Sequence, residues 1–582
     1  MSIFPKTCYP IIIGIWLSFL STMGYSQSGK DQRPNIVLIQ LDDLGIDDLP
    51  SEGNMTVKAP NIDRLAMESI RFSQFYVTPV CASSRAELLT GKPHLSVGVS
   101  HVHGGKDYLN LEEQTIADVL QEKGYRTAMW GKWHLGKTPG YMPWDRGFEE
   151  AFMARLYEYI DKDGQNHGHF NGKAISHEGW VTQTITDYAI QYMHRDDPRP
   201  FFAYLPYLTV HEPLKAPEKY KNIYKEKGLS NGLSTLYGMI THLDTHIGRL
   251  LDEIQSLPQN RPTYVLFMSD NGPAIIHRYL SEEDRKYRYH HQYRGHKGNI
   301  LENGIKSPFY FHGFGAGYSD KFISGQDIFA MIQDLSERRI QNQSDLIDFA
   351  SDCSEEHLFY AHRAWQPSQE AWSTLGKFNE YITLKSSNVH RLYDFKEQAI
   401  AYRKGPYKLI QNGSEQEFEE KGSTLRLFNV QEDPQERHNL VQLNPELTQL
   451  MLEQSRVAFN QLHVETSLTH PIIHQPSKGQ LFLPAVNSIP ETGEIKKAFD
   501  YLVGKGKAEI KFEVADPLIQ LEDYKIKGSE NIHLQANMKT EENAGKLTHW
   551  LHIKINADHG KEWRLTNICF SSASSLEQNQ QP

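Results

Sequence analysis

Ile36-Val37-Leu38-Ile39-Gln40-Leu41, followed at once by Asp42-Asp43-Leu44-Gly45, is the stretch that decides the fold. The run is aliphatic and β-branched, the pattern of a parallel strand buried on both faces; a half-exposed strand would alternate instead. Such strands belong to α/β proteins, whose ligands gather beyond the carboxyl ends of the sheet. Two adjacent carboxylates at a strand end repel each other unless a cation lies between them. A hard divalent ion such as calcium, held by oxygens at about 2.3–2.6 Å, is the natural solution. For an isolated pair, a solvated Asp-Asp turn is the commoner reading.

Working outward, Tyr264-Val265-Leu266-Phe267-Met268 repeats the design and ends in Ser269-Asp270-Asn271-Gly272. Phe201-Phe202-Ala203-Tyr204-Leu205 is a third buried strand and leads to His211-Glu212-Pro213. A fourth, short strand near Thr127 to Trp130 delivers Lys132 and His134, which share a face if the strand continues, because the side-chain period is two. Helical spacing marks Thr115 to Lys123, stopped by Gly124, Trp180 to Met193, and Leu236 to Ile254. Asp42, Asp43, Asp270 and Asn271 together offer four oxygen side chains to a hard cation. The absence of a Cys/His cluster at zinc spacing argues against structural zinc. His101 and His103 lack a third ligand nearby and read as loop surface facing substrate or solvent.

Pro79-Val80-Cys81-Ala82-Ser83-Ser84-Arg85-Ala86-Glu87-Leu88-Leu89-Thr90-Gly91 reads as a loop entering a helix, with Ser83 or Ser84 as N-cap. Cys81 then lies near the positive end of the helix dipole with Arg85 beside it, a place suited to an anionic substrate. Taken alone, a half-buried cysteine at a helix start is the plainer reading.

At 582 residues the chain is too long for one core and implies two or three domains. A net charge of -11 provides no global positive field for nucleic acid. Lys6 precedes the apolar run Ile11 to Leu20, too short to span a bilayer comfortably, and small or polar residues follow through Ser26. This is a signal peptide in outline, so the expectation is an exported protein, periplasmic or secreted, with no membrane span. Of the four cysteines, Cys353 and Cys569 either pair in an oxidising compartment or stand as independent thiols. Residues 277 to 297 are dense in cations and aromatics, among them His277, Arg278, Arg285, Arg288, His290, His291 and Arg294. They read equally as a grip for a polyanionic glycan and as a solvated insertion loop.

Several of these segments carry a family resemblance. The Cys81-Ala82-Ser83-Ser84-Arg85 segment resembles the formylglycine motif of the type I sulfatases, in which a Cys followed by x-Pro-x-Arg is oxidised to an aldehyde. Gly124-Tyr125-Arg126-Thr127 with Gly131-Lys132-Trp133-His134-Leu135-Gly136 is similar to the second signature of that family. Asp433-Pro434 with Glu436, Asn439 and Leu440 is similar to its closing turn. The likeness covers roughly residues 34 to 465. Ser83 departs from the usual proline, and Asn303 from a usual glycine.

The resemblance implies an alkaline-phosphatase-like α/β fold: a large mixed, mostly parallel sheet flanked by helices, then a small antiparallel sheet. It implies a metal site of Asp42, Asp43, Cys81, Asp270 and Asn271 holding one Ca2+. The implied catalytic residues are Cys81, Arg85, Lys132, His134, His211 and Lys297. The Cys81 aldehyde, hydrated, would attack sulfur. Arg85, Lys132, Lys297 and the metal would neutralise the sulfuryl oxygens, and His211 and Lys297 would assist the departing alcohol. His134 would take the proton that frees the sulfate. Expected partners are a sulfated polysaccharide or oligosaccharide and a formylglycine-generating maturation enzyme. The alternatives are a phosphodiesterase or phosphonate hydrolase on the same fold, and an inactive sulfatase-like glycan-binding protein with Cys81 unmodified.

The expected division is a signal peptide at 1–26, a catalytic domain at 27–345, a subdomain with the small sheet at 346–465, and an accessory β-rich domain with a disordered tail at 466–582. The last rests on the alternation in Ile510 to Val514, Ile532 to Ala536 and Leu551 to Ile555.

Overall fold

The computed structural model describes residues 32–99, 102, 107, 109–110, 113–136, 140–274, 278–288, 292–361, 395, 399–412 and 425–466, and the backbone of strands at 480–481, 508–514, 520–524, 536–539, 551–557 and 561–566. The signal-peptide reading, Cys569, the tail, His101, His103, His277, His290 and His291 lie outside the described residues.

Ten strands form one sheet: β1 (Asn35–Leu41), β2 (Ser69–Tyr76), β3 (Arg126–Gly131), β4 (Glu150–Ala154), β5 (Gln165–Phe170), β6 (Lys173–Glu178), β7 (Phe201–Pro206), β8 (Thr263–Ser269), β9 (Phe309–His312) and β10 (Gly317–Ser324). Their order is β10-β2-β9-β8-β1-β7-β3-β4-β5-β6. The central run β8-β1-β7-β3-β4 is parallel, whereas β9 and the β4-β5-β6 edge pair antiparallel. The large mixed, mostly parallel sheet that the resemblance implied is present, with the apolar runs as its parallel centre.

The apolar runs follow from burial on two sides. Val37, Ile39 and Leu41 enter one core with residues of the helices Val181–Met193 and Asn231–Ser256. Ile36 and Leu38 enter the other, with residues of the helices Cys81–Thr90, Ile116–Glu122 and Asp327–Ser336. Each fully buried Ile or Leu contributes about 1.5–3 kcal/mol, and both faces need one, so no alternation survives in the sequence. The expected helices match within a residue or two, except that the longest begins at Asn231.

A second, antiparallel sheet consists of β11 (Glu356–Ala361), β12 (Ala399–Lys404), β13 (Tyr407–Gln411) and β14 (Leu425–Asn429). Phe359, Ala401, Ile410 and Phe428 of this sheet share a core with Tyr76, Ile300, Ile305 and Phe322 of the larger unit. At that joint, Lys408 Nζ lies 3.0 Å from Glu302 Oε1 and 2.8 Å from Glu436 Oε1, all three side chains buried. The Tyr76 hydroxyl donates to Glu302 Oε2 (2.7 Å), and the Glu302 amide donates to Glu436 Oε2 (2.7 Å). Arg403 closes the group on the Tyr76 hydroxyl.

Beyond residue 480, the strand Ala508–Val514 pairs antiparallel with Leu551–Ala557, which pairs with Lys561–Thr566. Of Ile532 to Ala536 only Ala536 falls in a described strand, Ala536–Lys539.

Candidate active site

Four neighbouring parallel strands deliver the chemistry at their carboxyl ends. Asp42 and Asp43 follow β1, Asp270 and Asn271 follow β8, Lys132 and His134 follow β3, and His211 lies five residues beyond β7. The helix Cys81–Thr90 points its first residue at the same place. Asp43 (φ 64) and His134 (φ 65) adopt the left-handed conformation, uncommon for residues with a side chain and concentrated where a site fixes them.

Two local expectations are corrected. Val80 is the N-cap and makes no side-chain cap bond, so Cys81 is the first helical residue, and neither Ser83 nor Ser84 caps the helix. The Ser84 hydroxyl instead bonds Thr78. β3 also ends at Gly131, so Lys132 and His134 do not share a continuing strand face. Gly131 has φ 136, and a Cβ there would lie 2.1 Å from the Pro206 carbonyl oxygen, so the chain can turn only because the position is glycine.

Ion pairs organise the centre. Arg85 grips Asp270 Oδ2 through Nε (3.1 Å) and Nη2 (2.7 Å), and its Nη1 donates to the Lys132 carbonyl (2.9 Å). Lys132 Nζ donates to Asp42 Oδ2 (2.7 Å), and Lys297 Nζ to Asp43 Oδ1 (2.6 Å). Asn271 Nδ2 donates to the same Asp43 oxygen (2.9 Å). The side chains are nearly sealed apart from those of Lys297, 19% exposed, and His211, 12% exposed, which mark the open side.

Cys81 Sγ lies 3.3 Å from His134 Nδ1, while His134 Nε2 is 2.7 Å from the Val102 carbonyl oxygen. A carbonyl only accepts, so the ring proton sits on Nε2 and Nδ1 is the acceptor facing Cys81. By the same reasoning His211 donates Nδ1–H to the Glu212 carbonyl (2.7 Å) and turns Nε2 inward, 3.7 Å from Asp43 Oδ2.

Burial opposes ionisation of Asp42 and Asp43, but Lys132 and His211 for the first, and Lys297 and His211 for the second, outweigh it and hold both carboxyls low. Asp270 goes the other way: burial and the nearby Asp42 carboxylate push it up against the pull of Arg85. Burial lowers His211 and raises the Cys81 thiol. Burial also opposes the Lys297 ammonium, yet Asp43 and Cys81 raise it well above the usual lysine value.

The carboxylates are thus crowded, and three buried oxygens are left without a hydrogen-bond partner: Asp42 Oδ1, Asp43 Oδ2 and Asn271 Oδ1. Leaving such atoms dry costs about 1–3 kcal/mol each, more when charged. Ligand atoms of Asp42, Cys81 and Asp270 lie within 4.8 Å of one another, as do those of Asp42, Asp43 and His211. This oxygen-rich donor set fits a hard divalent cation, with Asp42, Asp43, Asp270 and Asn271 as the residues to hold it.

All ten site residues expected from the sequence come together here. Of the basic island, Lys297 belongs to the site and Arg278 stands beside it, on Glu212 of the pocket wall. Arg288 is buried on Asp48 (2.8 Å), Arg278 pairs with Glu212 (2.9 Å), Arg294 donates to the Glu436 carbonyl (2.7 Å), and Arg285 to that of Leu280 (2.8 Å). Arg285, Arg288 and Arg294 are engaged within the protein, whereas the Arg278 side chain is exposed. Missed in the sequence were the Val102 carbonyl that orients His134, and Tyr157, which stands over the pocket. Neither has a motif to announce it.

The sulfatase family model matches residues 34–336. An uncharacterized sulfatase of Schizosaccharomyces pombe is 25% identical over 558 residues, covering 74% of this chain and 94% of that one. N-acetylgalactosamine-6-sulfatase of Mus musculus is 31% identical over 290 residues, covering 45% of this chain and 54% of that one, so the chain spans about half the length of that mammalian relative. Among solved structures, Ps i-CgsB in complex with k-i-k-neocarrahexaose superposes with a TM-score of 0.59 at 22% identity, covering 75% of this chain and 94% of that one. The chain belongs to the sulfatase family, the sulfuric ester hydrolases. Its large sheet and small antiparallel companion are the family's α/β fold.

Proposed function

We propose that the chain is an exported sulfatase that hydrolyses sulfate esters of a polysaccharide or oligosaccharide, using one calcium ion and a formylglycine made from Cys81. The observation that carries this reading is the set of three unpartnered buried oxygens beside Cys81, ringed by Arg85, Lys132 and Lys297.

When bound, calcium would supply positive charge opposite a sulfuryl oxygen, and formylglycine would supply the hydroxyls that a plain thiol lacks. The chain's own residues do the rest. Lys132 and Lys297 bind the sulfuryl oxygens as fixed cations in a water-poor pocket, where preorganised charge is most effective. Arg85 adds its charge and holds Asp270 in place through two nitrogens. His134 accepts a proton at Nδ1 from the group at position 81, its tautomer set by the Val102 carbonyl. Lys297, held as an ammonium on the open side, supplies a proton to the departing alcohol, and the His211 ring beside it positions that alcohol.

The name of the Mus musculus relative supports a sugar sulfate as substrate. Export rests on the N-terminal pattern; among the described residues no helix is long and apolar enough to cross a membrane. A formylglycine-generating enzyme is the maturation partner, and it must accept Ser83 where proline is usual. Residues 466–582 are an accessory β-rich domain.

Intact-peptide mass spectrometry of the Cys81 segment, with sulfate release across a panel of sulfated glycans, tests the reading. Conversion of Cys81 and release from a glycan are expected. A retained thiol with no release points instead to a glycan-binding protein, and faster turnover of aryl phosphodiesters to the phosphodiesterase alternative.

A further inference from the structure

The connection between β4 and β5 carries Arg155-Leu156-Tyr157-Glu158-Tyr159. Its two flanks are pinned. The Tyr159 hydroxyl reaches the carbonyls of Leu208 and His211, the latter at 2.8 Å, tying the segment to the His211 loop. Glu158 accepts from the amide (2.9 Å) and Nδ1 (2.7 Å) of His167 and from Arg155 (3.0 Å). Between them Tyr157 has φ 64, a conformation that bulky L side chains rarely adopt and that persists only where the surroundings impose it.

That conformation brings the ring over the pocket lined by Asp42, Lys132, His211 and Tyr159. The Tyr157 ring centroid lies 5.1 Å from that of His211, tilted by 50°. The phenol lies within electrostatic reach of Cys81, Lys297, Asp42 and Asp107. The place of the sulfate group is already surrounded by Arg85, Lys132 and Lys297. His211 faces the departing alcohol, so the ring packed against it meets the sugar rather than the sulfur.

We propose that Tyr157 determines specificity for the leaving group: the face of its ring flanks the sugar ring that carries the sulfate. The proposal rests on the sulfatase reading of the site. Sugar rings pack on aromatic faces through their apolar C–H edges, and an aromatic wall excludes water from the bond being broken.

The test compares Tyr157→Ala and Tyr157→Phe with the wild type on three sugar sulfates (N-acetylgalactosamine 6-sulfate, glucosamine 6-sulfate and galactose 4-sulfate) and on 4-nitrophenyl sulfate. For the sugar sulfate that the wild type turns over fastest, Y157A is expected to lower kcat/KM by about tenfold or more relative to the aryl ester. The loss should fall mainly in KM, and Y157F, which keeps the ring, should lose only about threefold. Equal loss on both substrate classes means a structural role and overturns the proposal. So does an unchanged ratio, or a wild type that cleaves the aryl ester but none of the sugars. A calorimetric titration with inorganic sulfate separates the two levels of inference. If the wild type neither binds sulfate nor releases it from any ester, the sulfatase reading itself fails; if Y157A binds sulfate normally and its sugar preference is unmoved, only the role of Tyr157 falls.

Discussion

The ionic cluster at the rim of the large sheet and the one where the small sheet meets it are built from similar parts. At the rim, Asp42, Asp43 and Asp270 face Arg85, Lys132 and Lys297. At the joint, Glu302 and Glu436 face Lys408 and Arg403. Both are buried, and both balance in formal charge. They differ in how far their oxygens are satisfied. At the joint, both oxygens of Glu302 have partners, Glu436 Oε2 receives an amide, and Glu436 Oε1, although outside hydrogen-bond angles, sits 2.8 Å from the Lys408 ammonium. At the rim, Asp42 Oδ1, Asp43 Oδ2 and Asn271 Oδ1 are left with no partner. A cluster that only joins two sheets can close on itself. One that leaves oxygens over has coordination to offer, as the proposed calcium site requires.

Breaking the joint should give the largest loss of stability. Lys408→Met leaves two carboxylates facing each other in a dry interface, and denaturant titration is expected to show a loss of about 3–5 kcal/mol. A loss below about 1 kcal/mol would mean that the joint is not a closed unit. At the rim, Arg85→Ala should lower turnover of a sulfate ester by about a hundredfold or more. An unchanged rate in enzyme whose Cys81 is verified as modified would remove Arg85 from the mechanism.

Calcium sharpens the contrast further. At a hundred times its dissociation constant it should stabilise the protein by about 2.7 kcal/mol in thermal melts, and Asp43→Asn should abolish most of that gain. Lys408→Met should keep it, because Asp42, Asp43, Asp270 and Asn271 are untouched. A gain unaffected by Asp43→Asn would place the ion elsewhere. The smallest effect is a control away from both clusters: Thr115→Ala removes the hydroxyl that caps the helix Ile116–Glu122 and should cost about 1 kcal/mol without moving turnover or the calcium response.

The rim was more legible than the joint. Buried parallel strands write themselves as unbroken apolar runs, and a carboxylate at the end of such a run stands out, so Asp42, Asp43, Asp270 and Asn271 could be named before any coordinates. Lys408 and Glu302 are 106 positions apart and sit in ordinary strand and helix contexts, so nothing local marks them as a pair. The helix cap was misread because Ser83 and Ser84 are good caps in isolation, whereas the helix starts three or four residues earlier, with Cys81 at the rim. The basic stretch from 277 to 297 read equally as a glycan grip and as a solvated loop, because composition counts charges without their partners. Arg288 has Asp48, which precedes it by 240 positions.

What the sequence determined by itself is the set of parts and the sheet that carries them. Apolar runs, the polar residues that end them and the helical spacings are local, and local chemistry is written along the chain. Which charges satisfy one another, which oxygens are left over, which way a histidine tautomer faces and where Tyr157 stands were decided only when distant segments met. Those properties depend on distances across the fold, and a linear chain does not encode them residue by residue.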